Sequence, residues 1–263
     1  MKVTAHSLEV RDVSAGYGGS DIITSVTLAA AQGRITTIAG PNGAGKSTLM
    51  KTLAGLLRPR LGQISIDGRD VTRLTPPQRA LAGLGYVPQE RNIFRNLTIG
   101  ENLRIGFEFI RRKAPAKEFV VARDRVLDLF PDLAGRLNHV AGTLSGGQRQ
   151  MLAMGSALVA GPTTLLLDEP SAGLSPRYVT SMLDAVAAVN RSGVTVIMIE
   201  QNLIEAMRIA HDVILLVAGE IRGTWDSDRF LSDPLVRELF LGSAKAKATD
   251  PDHVGITDDA SAA

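Results

Sequence analysis

The sequence predicts an α/β fold in which a parallel β-sheet is flanked by helices. In its second half, apolar segments of strand length alternate with longer segments of helical periodicity, the pattern of βαβ units. A glycine-rich loop near residue 40 lies between another apolar strand and a helix. The chain has 263 residues, 44% of them hydrophobic, enough for one large domain or a domain with a small insert.

The elements follow in order along the chain. Residues 8–38 contain short strands interrupted by AGYGG at 15–19, and the strand that follows runs into the glycine-rich loop. The strands predicted beyond this point are 34–39, 62–68, one ending at 86–87, 164–167, 194–199 and 213–217. The predicted helices are 46–57, 145–159, 177–191 and 204–210.

Residues 90–143 differ from their surroundings, because they are rich in arginine and have helical periodicity, as in RVLDLFPDLAGRL. We predict a helical subdomain at about 90–152, inserted in a domain that spans 1–242. The tail at 243–263 is small and polar, and we predict that it is disordered.

Composition excludes several classes of function. The net charge is +2 and aromatic residues make up 4%, so neither a strong positive field nor stacking surfaces favour nucleic acid. There are no cysteines, which excludes disulfides, zinc–thiolate sites and a cysteine nucleophile, and fits a reducing cytoplasm. No apolar run approaches the roughly 18–20 residues of a membrane span. We therefore expect any membrane role to depend on partners.

Residues 40–48 read GPNGAGKST, a complete phosphate-binding loop. Its glycines let backbone N–H groups face phosphates, and the following helix adds the positive end of its dipole. Lys46 would bind the β- and γ-phosphates, Ser47 would hold Mg²⁺ and Thr48 would aid nearby phosphate contacts. A glycine-rich surface turn is the alternative, which a complete match between a strand and a helix disfavours. The candidate nucleotide-binding residues here are Gly40, Pro41, Asn42, Gly43, Ala44, Gly45, Lys46, Ser47 and Thr48.

The segment LLLDEP at 165–170 is an apolar strand that ends in two carboxylates. Asp168 would lie at the carboxyl edge of the sheet beside the phosphate loop, where it could bind Mg²⁺ directly or through water. Glu169 could orient and polarise an attacking water. Alone, the pair could equally cap the next helix, because acidic residues are common at helix starts.

The segment LSGGQ at 144–148 opens a helix, with Ser145 as its N-cap. It is a second potential anion site, although the residues alone would also allow a plain capped helix. The ordered set of phosphate loop, LSGGQ and LLLDEP resembles the ATPase subunits of ATP-binding cassette (ABC) transporters over residues 8–242. The resemblance implies a P-loop NTPase core, a small antiparallel β subdomain and a helical subdomain, with ATP and Mg²⁺ as ligands.

The resemblance also implies roles for individual residues. Two subunits would pair head to tail, with each ATP between the phosphate loop of one subunit and the LSGGQ helix of the other. Tyr17 would stack on adenine, and Gln89 in YVPQE would reach Mg²⁺ and the attacking water. The helical subdomain would receive a coupling helix from a membrane subunit. The residues that would contact the partner's ATP are Ser145, Gly146, Gly147 and Gln148.

A closer resemblance is to the LivF-type ATPases of branched-chain amino acid importers. It rests on SAGYGG, YVPQERNIFRNLTIGENL, LFPDL, AGTLSGGQRQMLAMGSAL, LLLDEPSAGLSP and MIEQN. Urea and amide importers carry a similar ATPase, so these cargoes stay open. The resemblance implies a second ATPase subunit, two transmembrane permease subunits and, indirectly, a periplasmic binding protein. It implies a peripheral position at the cytoplasmic face of the inner membrane and no nucleic acid partner.

Two positions depart from the general pattern of the family. The usual switch histidine after strand 194–199 is replaced by Gln201, which we expect to contact the γ-phosphate and to belong to the catalytic residues with Glu169 and Gln89. The aspartate that usually ends the loop after Glu169 is replaced by Ser175. His211 lies past a further helix, and we expect a structural role for it.

Three other functions compete with transport. A soluble cassette protein acting on ribosomes or DNA usually has two cassettes or a long coiled-coil insert, and neither is present. A regulatory nucleotide binder would not need intact Lys46, Asp168 and Glu169. A GTPase is disfavoured because no N-K-x-D guanine motif occurs.

Overall fold

The computed structural model describes residues 6–90 and 92–239. It has two compact units, one ending at Ser227 and one beginning at Asp228. The predicted disordered tail at 243–263 lies outside the described residues. Within these, the strands are β1 (His6–Tyr17), β2 (Ser20–Ala31), β3 (Ile35–Ala39), β4 (Leu61–Ile66), β5 (Arg69–Asp70), β6 (Leu84–Val87), β7 (Thr164–Asp168), β8 (Thr195–Ile199), β9 (Asp212–Val217) and β10 (Glu220–Asp226).

The helices of the described chain are short to medium in length. They are α1 (Lys46–Ala54), α2 (Pro76–Leu81), α3 (Ile99–Ile110), α4 (Ala116–Leu129), α5 (Gly146–Leu158), α6 (Pro176–Arg191), α7 (Leu203–Met207), α8 (Ser227–Phe230) and α9 (Pro234–Arg237). None of the helices described has both the length and the apolar character that crossing a membrane requires.

The strands form two sheets. A six-stranded sheet has the order β10-β9-β3-β8-β7-β6, and its five strands from β9 to β6 run parallel. A four-stranded antiparallel sheet has the order β2-β1-β4-β5. Every residue of β3, β7 and β8 is buried, because a parallel sheet in this fold class is covered on both faces.

Two hydrophobic clusters fill the spaces on the two faces of the six-stranded sheet. Leu165 and Leu167 of β7 belong to one cluster, with residues of α3, α5 and α6, while Leu166 between them belongs to the other, with residues of α1 and β1. This alternation follows from the period of two in a strand. The helices of the region 90–152 therefore share a core with the sheet, and the boundary of a separate helical subdomain stays a prediction.

The structure corrects the expected start of the fold. Residues 8–31 do not form short strands, because β1 and β2 have 12 residues each and pair over most of their length. The AGYGG segment interrupts the pairing only at its last two glycines, since Tyr17 still pairs with Ser20. Two helix ends also differ: α1 stops at Ala54 and not at 57, and α7 runs from Leu203 to Met207 where a helix over 204–210 was predicted.

Candidate functional site

The candidate residues converge because each follows the carboxyl end of one of four adjacent parallel strands. The phosphate loop follows β3 and Gln201 lies beyond β8. Asp168 is the last residue of β7, Glu169 follows it, and Gln89 lies beyond β6. In an open parallel sheet the carboxyl ends of the strands form the crevice where ligands bind. The prediction that Asp168 lies at this edge is therefore confirmed by the sheet order.

The phosphate loop requires glycine at two of its positions. Gly45, the N-cap of α1, has φ +98°, and a Cβ there would lie 2.9 Å from Ile23 Cγ2. A Cβ on Gly40 would lie 2.1 Å from the carbonyl oxygen of Leu216, the neighbouring strand. Any side chain at either place would displace the loop from the sheet and from the start of the helix.

Lys46 is folded back on its own loop. Its Nζ donates hydrogen bonds to the carbonyl oxygens of Gly40 at 2.7 Å and Pro41 at 3.0 Å. The side chain is buried, which lowers the pKa of Lys46, while the charges of Glu169 and Asp168 oppose that shift. A cation is thus held beside the loop and close enough to both carboxylates to interact with them.

Asp168 is a buried carboxylate with one oxygen available. The hydroxyl of Tyr86 lies close to this carboxylate, and Oδ1 has no hydrogen-bond partner in the described part of the chain. Burial, followed by the charge of Glu169, raises the pKa of Asp168, and Lys51 and Lys46 oppose the shift. A buried unpaired carboxylate oxygen is costly without a cation or water to satisfy it.

This arrangement fits the ligand chemistry of Mg²⁺. Ser47 is exposed at the start of α1, so its hydroxyl and Asp168 Oδ1 provide two oxygen ligands of the type the ion prefers. Across the described residues, no group of three or more His, Cys, Asp or Glu side chains could form an all-protein metal site.

Glu169 has an uncommon backbone conformation, and two amides hold its side chain. Its φ of 51° lies in the left-handed region, which is rare for a residue with a long side chain, and its N–H donates to the carbonyl of Ile199 at 3.0 Å. Gln89 Nε2 donates to Glu169 Oε2 at 2.9 Å, and Gln201 Nε2 donates to the same oxygen at 2.7 Å. Among the described residues, Oε1 of Glu169 accepts no hydrogen bond.

The LSGGQ segment begins α5 as expected. Ser145 is the N-cap: its Oγ accepts from the N–H of Gln148 at 3.3 Å, and Gln148 Oε1 accepts from the N–H of Ser145 at 3.1 Å. This capping box satisfies two N–H groups at the helix start. Gly147 is buried against Tyr178, whose ring would lie 3.3 Å from a Cβ at that position. Among the residues described, no hydrogen bond or ion pair joins LSGGQ to the phosphate loop.

The remaining candidates occupy distinct places. Tyr17 lies at the end of β1 with its side chain 49% exposed, so its ring is free to stack on a planar group. His211 accepts a hydrogen bond at Nδ1 from the N–H of Ile35 at 2.9 Å, the structural role expected. Ser175 is the N-cap of α6 without a side-chain hydrogen bond to the helix.

Three residues at this site were missed by sequence reasoning. Tyr86 contacts Asp168 from the neighbouring strand, and Glu200 accepts hydrogen bonds from Ser171. A signal for Glu200 existed, since a carboxylate directly after the apolar residues that end β8 lies at the same edge as Glu169. Tyr86 carried no such signal, because only the register of β6 against β7 brings it near Asp168.

The comparisons with known proteins agree with this site. Residues 23–172 match the family model described as ABC transporter, and the chain belongs to that family. It is 37% identical over 231 residues to a probable branched-chain amino acid transport ATP-binding protein, LivF, of Archaeoglobus fulgidus, covering 88% of this chain and 96% of the relative. It is 38% identical over 230 residues to the high-affinity branched-chain amino acid transport ATP-binding protein BraG of Pseudomonas aeruginosa, covering 88% and 97%.

The solved structures give the same class. The ADP conformation of MJ1267, an ATP-binding cassette of an ABC transporter, superposes with a TM-score of 0.81 at 26% identity, covering 91% of this chain and 100% of that one. The predicted P-loop NTPase fold and the resemblance to ABC ATPases are both confirmed. The family's ATP-binding subunits are ATPases, which agrees with the enzyme class expected from Lys46, Asp168 and Glu169.

Proposed function

We propose that this chain binds and hydrolyses ATP as the motor subunit of an importer for branched-chain amino acids. The observation that carries the catalytic part is the Glu169 carboxylate, fixed by two glutamines at the edge where the phosphate loop and Asp168 also lie. The relatives named for branched-chain amino acid transport support the cargo. Import of urea, amides or other amino acids by the same machine is the alternative.

The chemistry follows from the positions of the side chains. The loop residues from Gly40 to Thr48 bind the phosphates, with Lys46 exchanging its contacts to the loop carbonyls for phosphate oxygens. Ser47, Asp168 and Gln89 would hold Mg²⁺, which screens the phosphate charge when it is bound. Tyr17 would stack on the adenine ring.

Glu169 acts on the attacking water. The two amides at Oε2 hold one oxygen, so the free Oε1 can accept a proton from water and point the water oxygen toward the γ-phosphorus. Positioning and electrostatics are the main contributions a protein can make to phosphoryl transfer, because the bond-breaking step needs little covalent help. Gln201 and Gln89 are therefore proposed as catalytic partners of Glu169.

A second subunit completes each site in this proposal. The start of α5 has its own capping box, and within the described residues no hydrogen bond or ion pair joins it to the phosphate loop. The residues concerned are Ser145, Gly146, Gly147 and Gln148. Such a helix end attracts an anion. We infer that it serves the γ-phosphate of ATP held by another ATPase subunit, identical or different.

Permease subunits would dock on an apolar groove on the same unit. The groove has a volume of about 640 Å³ and lies between α2, β6, α3 and α5. Three large apolar side chains on its wall are more than half exposed: Leu81, Phe94 and Phe109. A helix of a transmembrane subunit is the proposed occupant, which would hold the chain at the cytoplasmic face of the inner membrane, with a periplasmic binding protein acting through that permease.

Two measurements test the proposal. Purified chain mixed with its cognate ATPase and permease subunits in proteoliposomes should release phosphate from MgATP, and a Lys46→Ala variant should not. In cells that lack the chain, uptake of labelled leucine should return with the wild type. Restored uptake of labelled urea but not of leucine would replace the proposed cargo, and absence of MgATP hydrolysis by the assembled complex would refute the enzyme assignment.

A further inference from the structure

Hydrogen bonds join residues 199, 200 and 201, at the end of β8, to Glu169 and Ser171, which follow β7. The carbonyl of Ile199 accepts the N–H of Glu169, and Gln201 donates to the Glu169 carboxylate. Between these two contacts, Glu200 reaches across in the same direction and binds Ser171. The segment that carries the catalytic carboxylate is thus tied to the end of β8 at three successive positions.

The Glu200–Ser171 contact is a two-point contact inside the protein. Glu200 Oε1 accepts from the N–H of Ser171 at 2.9 Å, and Glu200 Oε2 accepts from the Ser171 hydroxyl at 2.7 Å. Glu200 is 3% exposed and Ser171 is 6% exposed, so neither oxygen exchanges its partner freely with water. A carboxylate that accepts a hydrogen bond at each oxygen from one residue fixes both the distance and the rotation of that residue.

Glu200 differs in kind from an ordinary buried carboxylate. Within the described chain it forms no salt bridge, and burial, followed by the like charge of Glu169, raises the pKa of Glu200. Burying an acid near another acid is unfavourable, and the two hydrogen bonds from Ser171 oppose that cost. An apolar residue would cover the end of β8 without this cost, so the carboxylate indicates a requirement other than packing.

We propose that Glu200 is a positioning residue. It holds the loop after Glu169, residues 171–175, in a fixed position relative to the end of β8, which Gln201 follows. This inference rests on the proposed ATPase function and deepens it. Glu200 touches neither nucleotide nor attacking water. Instead it holds Ser171 so that Glu169 keeps its left-handed backbone and its carboxylate stays between the two glutamine amides.

The Glu200–Ser171 contact also connects two positions where the chain departs from its family's usual pattern. Gln201 is covalently next to Glu200, and Ser175 ends the loop that Ser171 begins. A displacement of residues 171–175 would therefore reach Gln201 through two hydrogen bonds and one peptide unit. In this arrangement the orientation of Glu169 and Gln201 follows the position of the loop.

The test compares three substitutions in the assembled transporter. Glu200→Ala removes both acceptor oxygens, and Ser171→Ala removes the hydroxyl donor. Glu200→Gln keeps both contacts: its amide oxygen can accept from the Ser171 N–H, and its amide NH2 can donate to the Ser171 hydroxyl oxygen. We expect Glu200→Ala to lower kcat about ten- to a hundred-fold with the KM for MgATP nearly unchanged. Ser171→Ala should lower kcat less, and Glu200→Gln should recover most of the wild-type value.

A matched control separates positioning from stability. Asn190 is also buried and lies near the C-terminal end of α6. Its Nδ2 donates to the carbonyl oxygens of Gly33 at 3.1 Å and Val194 at 2.8 Å. Asn190→Ala should lower Tm much as Glu200→Ala does, while kcat per folded molecule stays at the wild-type value. Nucleotide binding, measured for every variant by titration, counts the folded fraction.

The outcomes are distinct. A Glu200→Ala variant whose kcat is within about twofold of the wild type overturns the inference, as does a change confined to KM. Loss of turnover in Glu200→Gln equal to that in Glu200→Ala also overturns it, because charge and not position would then be required. If Glu200→Ala fails to fold, the Ser171→Ala and Glu200→Gln pair decides alone. Absence of hydrolysis in the wild-type complex instead refutes the proposed function.

Discussion

The Gln201 amide donates a 2.7 Å hydrogen bond to the Glu169 carboxylate, and the neighbouring Asn202, not Gln201, caps the helix α7. A structural cap was the alternative explanation for a glutamine at this position, and the Asn202 side chain already fills that place by accepting from the N–H of Glu205 at 3.4 Å. The side-chain amide of Gln201 is therefore hydrogen-bonded to the Glu169 carboxylate and does not cap the helix. Contact with a γ-phosphate stays a prediction, for which the side chain would have to exchange or share this partner.

Glu169→Gln should leave MgATP binding intact and nearly stop turnover. The amide keeps the size of the side chain and can still accept from Gln89 and Gln201 through its oxygen, but it lacks the charge that polarises water. The variant should accumulate as an ATP-bound dimer. Phosphate release and light scattering on the same sample check this, and steady-state hydrolysis comparable to the wild type would contradict the role of Glu169.

Gln201→Ala should lower turnover about ten- to a thousand-fold, as expected for loss of a preorganised donor. Gln201→His should retain part of the activity and gain a pH dependence between about 6 and 7, because histidine titrates there and glutamine does not. The measurement is kcat per folded molecule in the assembled transporter across that pH range.

Asn202→Ala is the matched control for Gln201. It removes the true cap of α7 and should cost about 0.5–2 kcal/mol of stability while turnover per folded molecule is unchanged. If Asn202→Ala loses as much turnover as Gln201→Ala, the effect belongs to the local fold, and the catalytic role of Gln201 is wrong.

Sequence reasoning reached the fold and the motif residues because both depend on local signals. The strands β3, β7 and β8 are short, mostly apolar and fully buried, and the position of Asp168 follows from where the apolar residues of β7 end. It could not reach the contacts of Glu200 and Tyr86, since these depend on strand order and register. The length of β1 was missed for a related reason: pairing with β2 overrides the weak strand preference of Gly16.

Asp168→Asn should stabilise the nucleotide-free protein at neutral pH while abolishing hydrolysis. Burial and Glu169 raise the pKa of Asp168 in the folded state, so its contribution to stability is fully present below the unfolded pKa. That contribution is lost as the pH rises through the folded pKa, and the neutral amide avoids the loss. Thermal unfolding should show a higher Tm for the variant at pH 7, and the difference should shrink toward pH 4.

Asp70→Asn is the control, because the pKa of Asp70 is shifted in the opposite direction to that of Asp168. Hydrogen bonds from the hydroxyl and N–H of Thr72 lower the pKa of Asp70, so its contribution to stability is present above the unfolded pKa and lost as the pH falls through the folded one. This variant should not be stabilised at pH 7. A higher Tm in both variants would indicate a general effect of net charge and would contradict the local explanation for Asp168.

The chain without partners should hydrolyse ATP weakly. Ser145 and Gly147 would contact the nucleotide bound by another subunit. A monomer would therefore have the phosphate loop and Glu169 for its own nucleotide but would lack the LSGGQ residues that a second subunit supplies. Specific activity should rise with protein concentration as subunits pair, and again when the cognate ATPase and permease subunits are added. Full activity in a sample that light scattering shows to be strictly monomeric would refute the shared site.

Phe109→Asp should weaken assembly with the permease and leave MgATP affinity unchanged. Phe109 is 56% exposed on the wall of the apolar groove, and a buried aromatic anchor at an interface is commonly worth about 2 kcal/mol or more, roughly a thirty-fold change in Kd. The carboxylate would be desolvated on docking without a partner. Co-purification with detergent-solubilised permease and nucleotide titration measure the two properties separately.

Ile204→Asp is the control, because Ile204 is 71% exposed and does not line the groove. The same charge placed there should leave permease binding at the wild-type level. Equal loss of assembly in both variants would indicate that any added carboxylate disturbs the complex, and normal assembly of Phe109→Asp would move the docking surface away from this groove. A selective loss in Phe109→Asp, with hydrolysis that the permease no longer stimulates, is the result expected if the groove transmits permease contact to the ATP site.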